Sequence, residues 1–509
     1  MPLRTARRRP LMAALSALVL VALTLALAQP ALGAAPTVLW ERNVSPDILH
    51  LAYPRNDAFD PIVATHPTDP NKLAVLYHYK PKKGAGCGVV TGLRISTDGG
   101  DSWHEAPRRP WAGSGRYPNW HGTLAWGPGP QPGSGRLYWA DTTVNTCSFN
   151  DHRLSVAYSD DLGASWSPLF VYRGVPATSA GGYPEIAVDR NPASPNYGAV
   201  YAAINWFSSL GAEPGYRVIA SSDFGKHWTS REVALLNNEP GYPFSYRIGY
   251  RLRSAPDGHV YATFCQRDRR SRTGATGRLA YGIARLNLSA NELTGGQPKL
   301  AITLQRNGYN LGTKFAPGSG NYEALNACWS HGIDIDADGT VHLAVSNYRK
   351  SADAGAARGV IRYGRSNNGG DSWDWQSLPS LPPVNGRAQT SFRPTLVASG
   401  ETVFVGLHVM TDVPLGSGRT PVVTIGNAYS VSHDGGASFS TPALISEARW
   451  NPDWLDYSRN GPGLRDRAEL TAAGRVFYGY GDGRHGAPYP DAHWGRGQVY
   501  AALIDPGGP

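Results

Sequence analysis

The 509-residue chain holds only four cysteines and three methionines, and charged residues make up just 17% of it. No C-x-x-C or H-E-x-x-H pattern occurs, so the common zinc arrangements are excluded and no metal site is expected. There is no G-x-S-x-G elbow and no phosphate loop, which leaves hydrolase-elbow chemistry and nucleotide binding unsignalled. No block of Lys and Arg of the kind nucleic-acid binders carry is present either. Long helical periodicity is missing. The single long apolar run is Leu11 to Ala28, and nothing after it is apolar enough to span a bilayer.

That run belongs to a leader. Arg4, Arg7, Arg8 and Arg9 precede it, and the small-residue stretch Ala31-Leu32-Gly33 follows, which together predict an export signal over residues 1–33. The Arg8-Arg9 pair leaves a twin-arginine route open, and an uncleaved anchor is the alternative. The expected location is secreted, periplasmic or cell-surface, with no stable membrane insertion once the signal is cleaved. The formal charge of +9 falls to +5 when the leader's four arginines are set aside. A mild excess of this kind suits a soluble surface and is compatible with an anionic partner. What the chain has in plenty is turn formers and rings: 60 Gly, 40 Pro, 26 Tyr and 15 Trp. That is an all-β composition, and residues 34–509 are expected to form one large domain.

One stretch recurs. Ser96-Thr97-Asp98-Gly99-Gly100-Asp101-Ser102-Trp103 returns at Ser159 to Trp166 and at Ser221 to Trp228. Two looser copies run from Ser366 to Trp373, with Asn368 in place of the Asp, and from Ser432 to Phe439, with Phe in place of the Trp. Gly supplies the positive φ of a hairpin turn, and the Asx side chain accepts hydrogen bonds from the N–H groups just ahead. Neighbouring copies start 62–66 residues apart, and the third and fourth are separated by about two periods. A fixed period with one turn signature means a repeat architecture, and each repeat suits one four-stranded blade of a propeller.

Paired strand-like runs give seven repeats, the fourth lacking its turn motif. The last repeat is expected to be completed by Thr37-Val38-Leu39-Trp40, the usual way a propeller removes its open edges. The fold expected is therefore an all-β, seven-bladed β-propeller, with six blades as the alternative.

The motif resembles the Asp-box, or BNR repeat, of the sialidase-like β-propellers. The resemblance implies that the motif aspartates are structural and lie on the face away from the active site. It also implies a secreted carbohydrate-active enzyme, a monomer acting on acidic oligo- or polysaccharides without a cofactor. Sialidases themselves have six blades.

With the turns on the lower face, the starts of the innermost strands ring the upper mouth of the channel. The aligned first positions are Asp60, His121, Tyr183, Tyr250 or Arg251, His331, Arg393 and Arg467, all polar or ionisable. A sialidase-like exo-glycosidase holds the substrate carboxylate with three Arg and uses a Tyr activated by a Glu, with an Asp as acid/base. The resemblance implies Arg251, Arg393 and Arg467 for the first role. It implies Tyr457 or Tyr250 as nucleophile, Glu469 or Glu185 as its partner, and Asp60 as acid. A polysaccharide lyase acting by β-elimination on uronates is the second reading, with His121, Tyr183 and His331 moving protons and Arg393 neutralising the carboxylate. A non-catalytic glycan- or protein-binding propeller is the third.

The loops between second and third strands share this face and are expected to bring cations, in Tyr79 to Lys83, Asp141 to Asn145, Arg267 to Arg270 and Asn347 to Lys350. The aromatic insertion Arg449 to Tyr457 is expected either to stack on sugar rings or to pack. The four cysteines of an exported chain are expected in disulfides, Cys87 with Cys147 and Cys265 with Cys328. Asp334 to Gly339 resembles the start of a calcium loop, but the twelfth position is Val345, so it is read as a turn.

Overall fold

The computed structural model describes residues 34–45, 58–79, 90–145, 151–173, 179–208, 215–229, 233–235, 244–268, 279–289, 292–295, 298–304, 331–348, 359–386, 388–413, 422–450, 466–484 and 498–508. Export signal, Cys87, Cys147, Cys328 and Tyr457 lie outside them. Among the described residues there is no helix, and the strands form seven antiparallel sheets. The protein is a seven-bladed β-propeller. Blades 1 to 6 open with the innermost strands Ala58–Thr65, Tyr117–Pro128, Ser179–Val188, Phe244–Ser254, Gly332–Ile335 and Thr390–Ser399, and blade 7 with Arg467–Leu470. These seven pack against one another around the axis.

The seventh blade is built from both ends of the chain. Thr37–Asn43 pairs antiparallel with Gln498–Asp505, Thr37 opposite Asp505 and Asn43 opposite Tyr500. The expected closing strand is thus in place. Blade 4, which lacks the turn motif, gains a fifth strand, Lys299–Leu304, alongside Leu279–Ser289.

Alternation puts one face of every sheet against the blade before it and the other against the blade after. The core is consequently divided into layers between blades. Tyr216, Leu252 and Leu286 belong to the layer between blades 3 and 4, and Tyr363, Leu396 and Val405 to that between blades 5 and 6. Fit is close in places. A Cβ on Gly332 would stand 2.5 Å from the backbone nitrogen of Leu396 in the next blade, so no side chain is tolerated there.

The repeated turn folds the same way in each of its five copies. The buried serine that opens it accepts from the glycine N–H, as Ser159 Oγ does from Gly163 at 2.8 Å, and donates to the aspartate, as to Asp161 Oδ1 at 2.8 Å. Asp161 then accepts from the Ser165 N–H at 2.8 Å and from its hydroxyl at 2.5 Å. Two successive residues take positive φ, 59° at Leu162 and 80° at Gly163. Partial burial opposes ionisation of Asp161, but the bonds from Ser165 and Ser159 outweigh it and hold the carboxyl below its ordinary range. These aspartates are spent on their own turns, as the sequence predicts. In an antiparallel blade the first hairpin shares a face with this turn, and the start of the innermost strand lies at the opposite end.

Ser159 is 2% exposed and makes both bonds. Ser159→Ala is expected to destabilise the protein by about 1–3 kcal/mol, since a buried donor and acceptor are left without their partner. Chemical denaturation should show a lower midpoint at unchanged slope.

Candidate functional site

Five of the innermost strands carry an irregularity near their upper ends. Register shifts fall between Phe59 and Ile62, Pro118 and Gly122, Gly182 and Glu185, Ile248 and Tyr250, and Phe392 and Thr395. In three of them the residue at the bulge has left-handed backbone: Asp60 at φ 51°, Tyr183 at 58° and Arg393 at 51°. Each precedes a proline, which has no N–H for the ladder and so falls naturally at a bulge. A non-glycine residue in this conformation costs on the order of 1–3 kcal/mol, and such strain collects at functional sites. Three residues expected around the channel mouth from sequence therefore share one unusual conformation in three blades.

Below this tier lies a second. Glu185 of blade 3, Arg251 of blade 4 and Arg467 of blade 7 are all buried. Glu185 Oε1 accepts from Arg251 Nη1 at 3.1 Å and also from Arg467 Nη2. One carboxylate oxygen thus joins two guanidiniums from different blades. Tyr250 and Tyr216 stack beside them at 4.0 Å, 4° from parallel. Burial, followed by the charge of Glu185, pushes the Tyr216 phenol well above its ordinary range.

His331 stands next to the same cluster, fully buried, its Nε2 2.7 Å from Thr263 Oγ1. Burial first, then the positive charges of Arg251 and Arg467, push its pKa well below the ordinary histidine value. The imidazole is neutral at any pH near neutrality. Among the described residues its Nδ1 has no hydrogen-bond partner.

Glu469 is elsewhere. Two residues along from Arg467, it faces the lower channel and pairs with Arg190 of blade 3 at 3.1 Å. Arg253 and Asp334 meet at 3.6 Å on the same level, and a cavity of about 350 Å³ opens among these four. Between the two glutamates weighed from sequence, Glu185 sits with the upper arginines and Glu469 does not. The His121 side chain and Tyr457 lie outside the described residues.

Several other expectations are corrected or refined. Asp141 to Val144 is not a loop but the buried end of the strand Gly135–Val144. Trp450 is fully buried, its backbone bridged to Ile425 and its ring in a core layer with Phe392 and Met410, so it cannot stack on a ligand. Asp334 to Gly339 is the expected turn, where Asp336 accepts from the Thr340 N–H at 2.9 Å. Among the described residues no group of side chains has the makings of a metal site. Cys265 is buried and disulfide-bonded; its expected partner, Cys328, is outside the described residues.

A supporting ring went unread in the sequence. The second strand of each blade carries a buried polar side chain level with the upper tiers: His78, Asp141, Asn205, Thr263, Ser346, His408 and Asp482. Four of them reach the next blade's inner strand or the residue before it. His78 Nε2 accepts from the Gly122 N–H at 2.6 Å, Ser346 Oγ from the Arg393 N–H at 2.9 Å, Thr263 meets His331, and His408 pairs with Asp466. The signal for them is a polar residue ending an apolar strand, as His78 ends Leu73-Ala74-Val75-Leu76-Tyr77.

No family profile matches the sequence, and no curated protein matches it significantly. Solved structures do resemble it. The polysaccharide lyase Uly1 aligns over 92% of this chain and 99% of its own, at 11% identity and a TM-score of 0.45. The Penicillium chrysogenum α-L-arabinanase aligns over 76% and 98%, at 13% and 0.42. Hadza microbial sialidase Hz136 aligns over 92% and 96%, at 12% and 0.40. These likenesses concern the path of the chain and carry nothing about its site.

Two outcomes are expected. Glu185→Ala strips two buried guanidiniums of their shared carboxylate and should lower unfolding free energy by about 3–5 kcal/mol, the range for breaking a buried pair; Glu185→Gln, which keeps an acceptor, should cost less. Calorimetric or denaturant unfolding of both variants checks this. Separately, burial and then the charge of Lys72 push His66 down to about 4. A histidine depressed in the folded state binds its proton only in the unfolded chain between the two pKa values, so stability should fall as pH drops from 6.5 toward 4. In His66→Asn that slope should be shallower, His331 and the shifted carboxylates contributing to what remains; an identical slope in both proteins refutes the assignment.

Proposed function

We propose that this chain is an exported carbohydrate-active enzyme of the sialidase-like Asp-box propeller type, and that its substrate is an acidic glycan. The observation that carries the reading is three buried arginines, Arg251, Arg393 and Arg467, contributed by the innermost strands of three different blades round one channel. A guanidinium fork matches a planar carboxylate bidentately, and an array of them on rigid strands is a carboxylate receptor more naturally than a packing device.

β-Elimination is the chemistry best supported. A uronate carboxylate neutralised by a guanidinium makes the proton on the adjacent ring carbon acidic. A base removes that proton, the electron pair forms the ring double bond, and the glycosidic oxygen one carbon further leaves with a proton from an acid. Tyr183, half-buried and held at a strained bulge one blade from Arg251, is assigned the proton transfer together with His121. Arg393 is assigned the carboxylate. His331, neutral because of burial and the two arginines beside it, is assigned to holding the site uncharged where a second cation would compete for the substrate.

Hydrolysis is the second reading, and one arrangement favours it. Arg251 and Arg467 already converge on a carboxylate oxygen, and Asp60, buried in the blade that follows Arg467 round the ring, is assigned the acid/base role in that case. Tyr250 or Tyr457 would then be the nucleophile.

The test is to incubate the purified chain with sialylated and uronate-containing glycans while following reducing ends and the absorbance of unsaturated uronates together. Elimination gives both signals, and Tyr183→Phe should then lower kcat by about 10²–10⁴. Reducing ends without absorbance mean hydrolysis, and silence on both channels across the panel leaves a binding module.

A further inference from the structure

The motif tryptophans are not equivalent. Trp103, Trp166 and Trp373 each donate their indole N–H to a backbone carbonyl, of Gly100 at 3.2 Å, Arg108 at 2.9 Å and Gly370 at 3.1 Å. Trp228 of blade 3 has no such partner among the described residues. It stacks on Phe170 of blade 2, ring centroids 5.1 Å apart and 18° from parallel. Beside the pair a cleft of about 290 Å³ opens between the two blades. Tyr158 forms another wall, its ring fixed by the Arg136 guanidinium 3.7 Å from its centroid. Arg136 is itself tied to Asp160 and to the Phe224 carbonyl of blade 3 at 2.8 Å, so the cleft is held from both sides. Lys226 stands exposed at its rim.

We infer that this cleft is a surface subsite for a sugar residue of an acidic polysaccharide. A pyranose has an apolar face that covers an aromatic platform, and hydroxyls at its edge that accept from an unengaged indole N–H. The volume is near the lower end of ligand pockets, about 300–1,000 Å³, and suits one or two sugar rings. A carboxylate on the ring or its neighbour meets the Lys226 ammonium. The cleft is on the face of the repeated turns, opposite the arginine ring, so a polymer long enough to reach round the rim engages both and a short oligosaccharide does not. The choice of an acidic polymer rests on the reading proposed above; the stacking site itself does not.

The experiment is affinity electrophoresis of the whole protein through gels containing polygalacturonate, alginate or polysialic acid, with turnover of short oligosaccharides of the same sugars measured alongside. Trp228→Ala should weaken retention by at least one of these polymers about ten-fold, the order that loss of one aromatic stacking contact gives. Trp228→Phe, which keeps the platform and loses the N–H, should fall between, and Trp373→Phe should match the wild type. Melting curves establish that each variant is folded, and Trp228→Phe carries the test if Trp228→Ala is not. Unchanged retention in the Trp228 variants, or no retention of the wild type by any polymer, overturns the subsite. Retention lost on Trp228→Ala with no turnover of any glycan keeps the subsite and sinks the enzymatic reading; turnover with unchanged retention does the reverse.

Discussion

Glu185 is the point on which the channel depends. A carboxylate and two guanidiniums taken out of water cost several kcal/mol each unless they satisfy one another, and here the partners come from blades 3, 4 and 7. The bond from blade 3 to blade 7 runs between non-neighbours, so it braces the ring across its axis. One tier down the polarity reverses: blade 3 supplies Arg190 and blade 7 supplies Glu469, with Arg190 also 3.3 Å from Thr65 of blade 1. The two braces obstruct the axis at two heights. Above them lie the bulges of the innermost strands, and burial, aided by the field of Arg251 and Arg467, keeps His331 neutral.

Those bulges are strained and then gripped. Asp60, Tyr183 and Arg393 hold left-handed backbone that an isolated strand would relax. At Arg393 the structure offers a reason why it does not, because Ser346 of the preceding blade captures the amide that the bulge leaves out of the ladder. Blade-to-blade contact therefore acts on the direction of the side chains in the mouth as well as on stability. Apolar layers alone fix the distance between sheets, while a single buried hydroxyl fixes the angle of one residue.

The architecture was legible because a local rule repeats. Ser-x-Asp-x-Gly specifies a turn with no help from the rest of the chain, and its spacing counts the blades even where blade 4 has lost it. The closing strand at Thr37 was legible for a related reason, since seven repeats leave one edge without a partner. The first positions of the innermost strands could be aligned, and Asp60-Pro61, Tyr183-Pro184 and Arg393-Pro394 were visible as dipeptides; what they share, positive φ at a bulge, needs the neighbouring strand to be seen. Partner choice was not legible. Arg467 and Glu469 lie two apart on one strand and share a face by periodicity alone, yet one meets Glu185 and the other Arg190, because blade 3 is opposite them only once the ring has closed. Which of its two expected roles Trp450 takes was not legible for the same reason, its aromatic neighbours in sequence saying nothing of the core layer that receives it.

The pairing of Thr37–Asn43 with Gln498–Asp505 also sets an order of events. More than 450 residues separate the partners, and a contact of that span is made late, after its long loop has been closed. The earliest strand of the ring to leave the ribosome is therefore the last to find its place. Until the carboxyl-terminal strand arrives, the seventh blade has an open edge on each side of the gap, exposed to pairing with another molecule. A chain cut short within its final blade would keep most of its apolar layers and still be unable to become a ring.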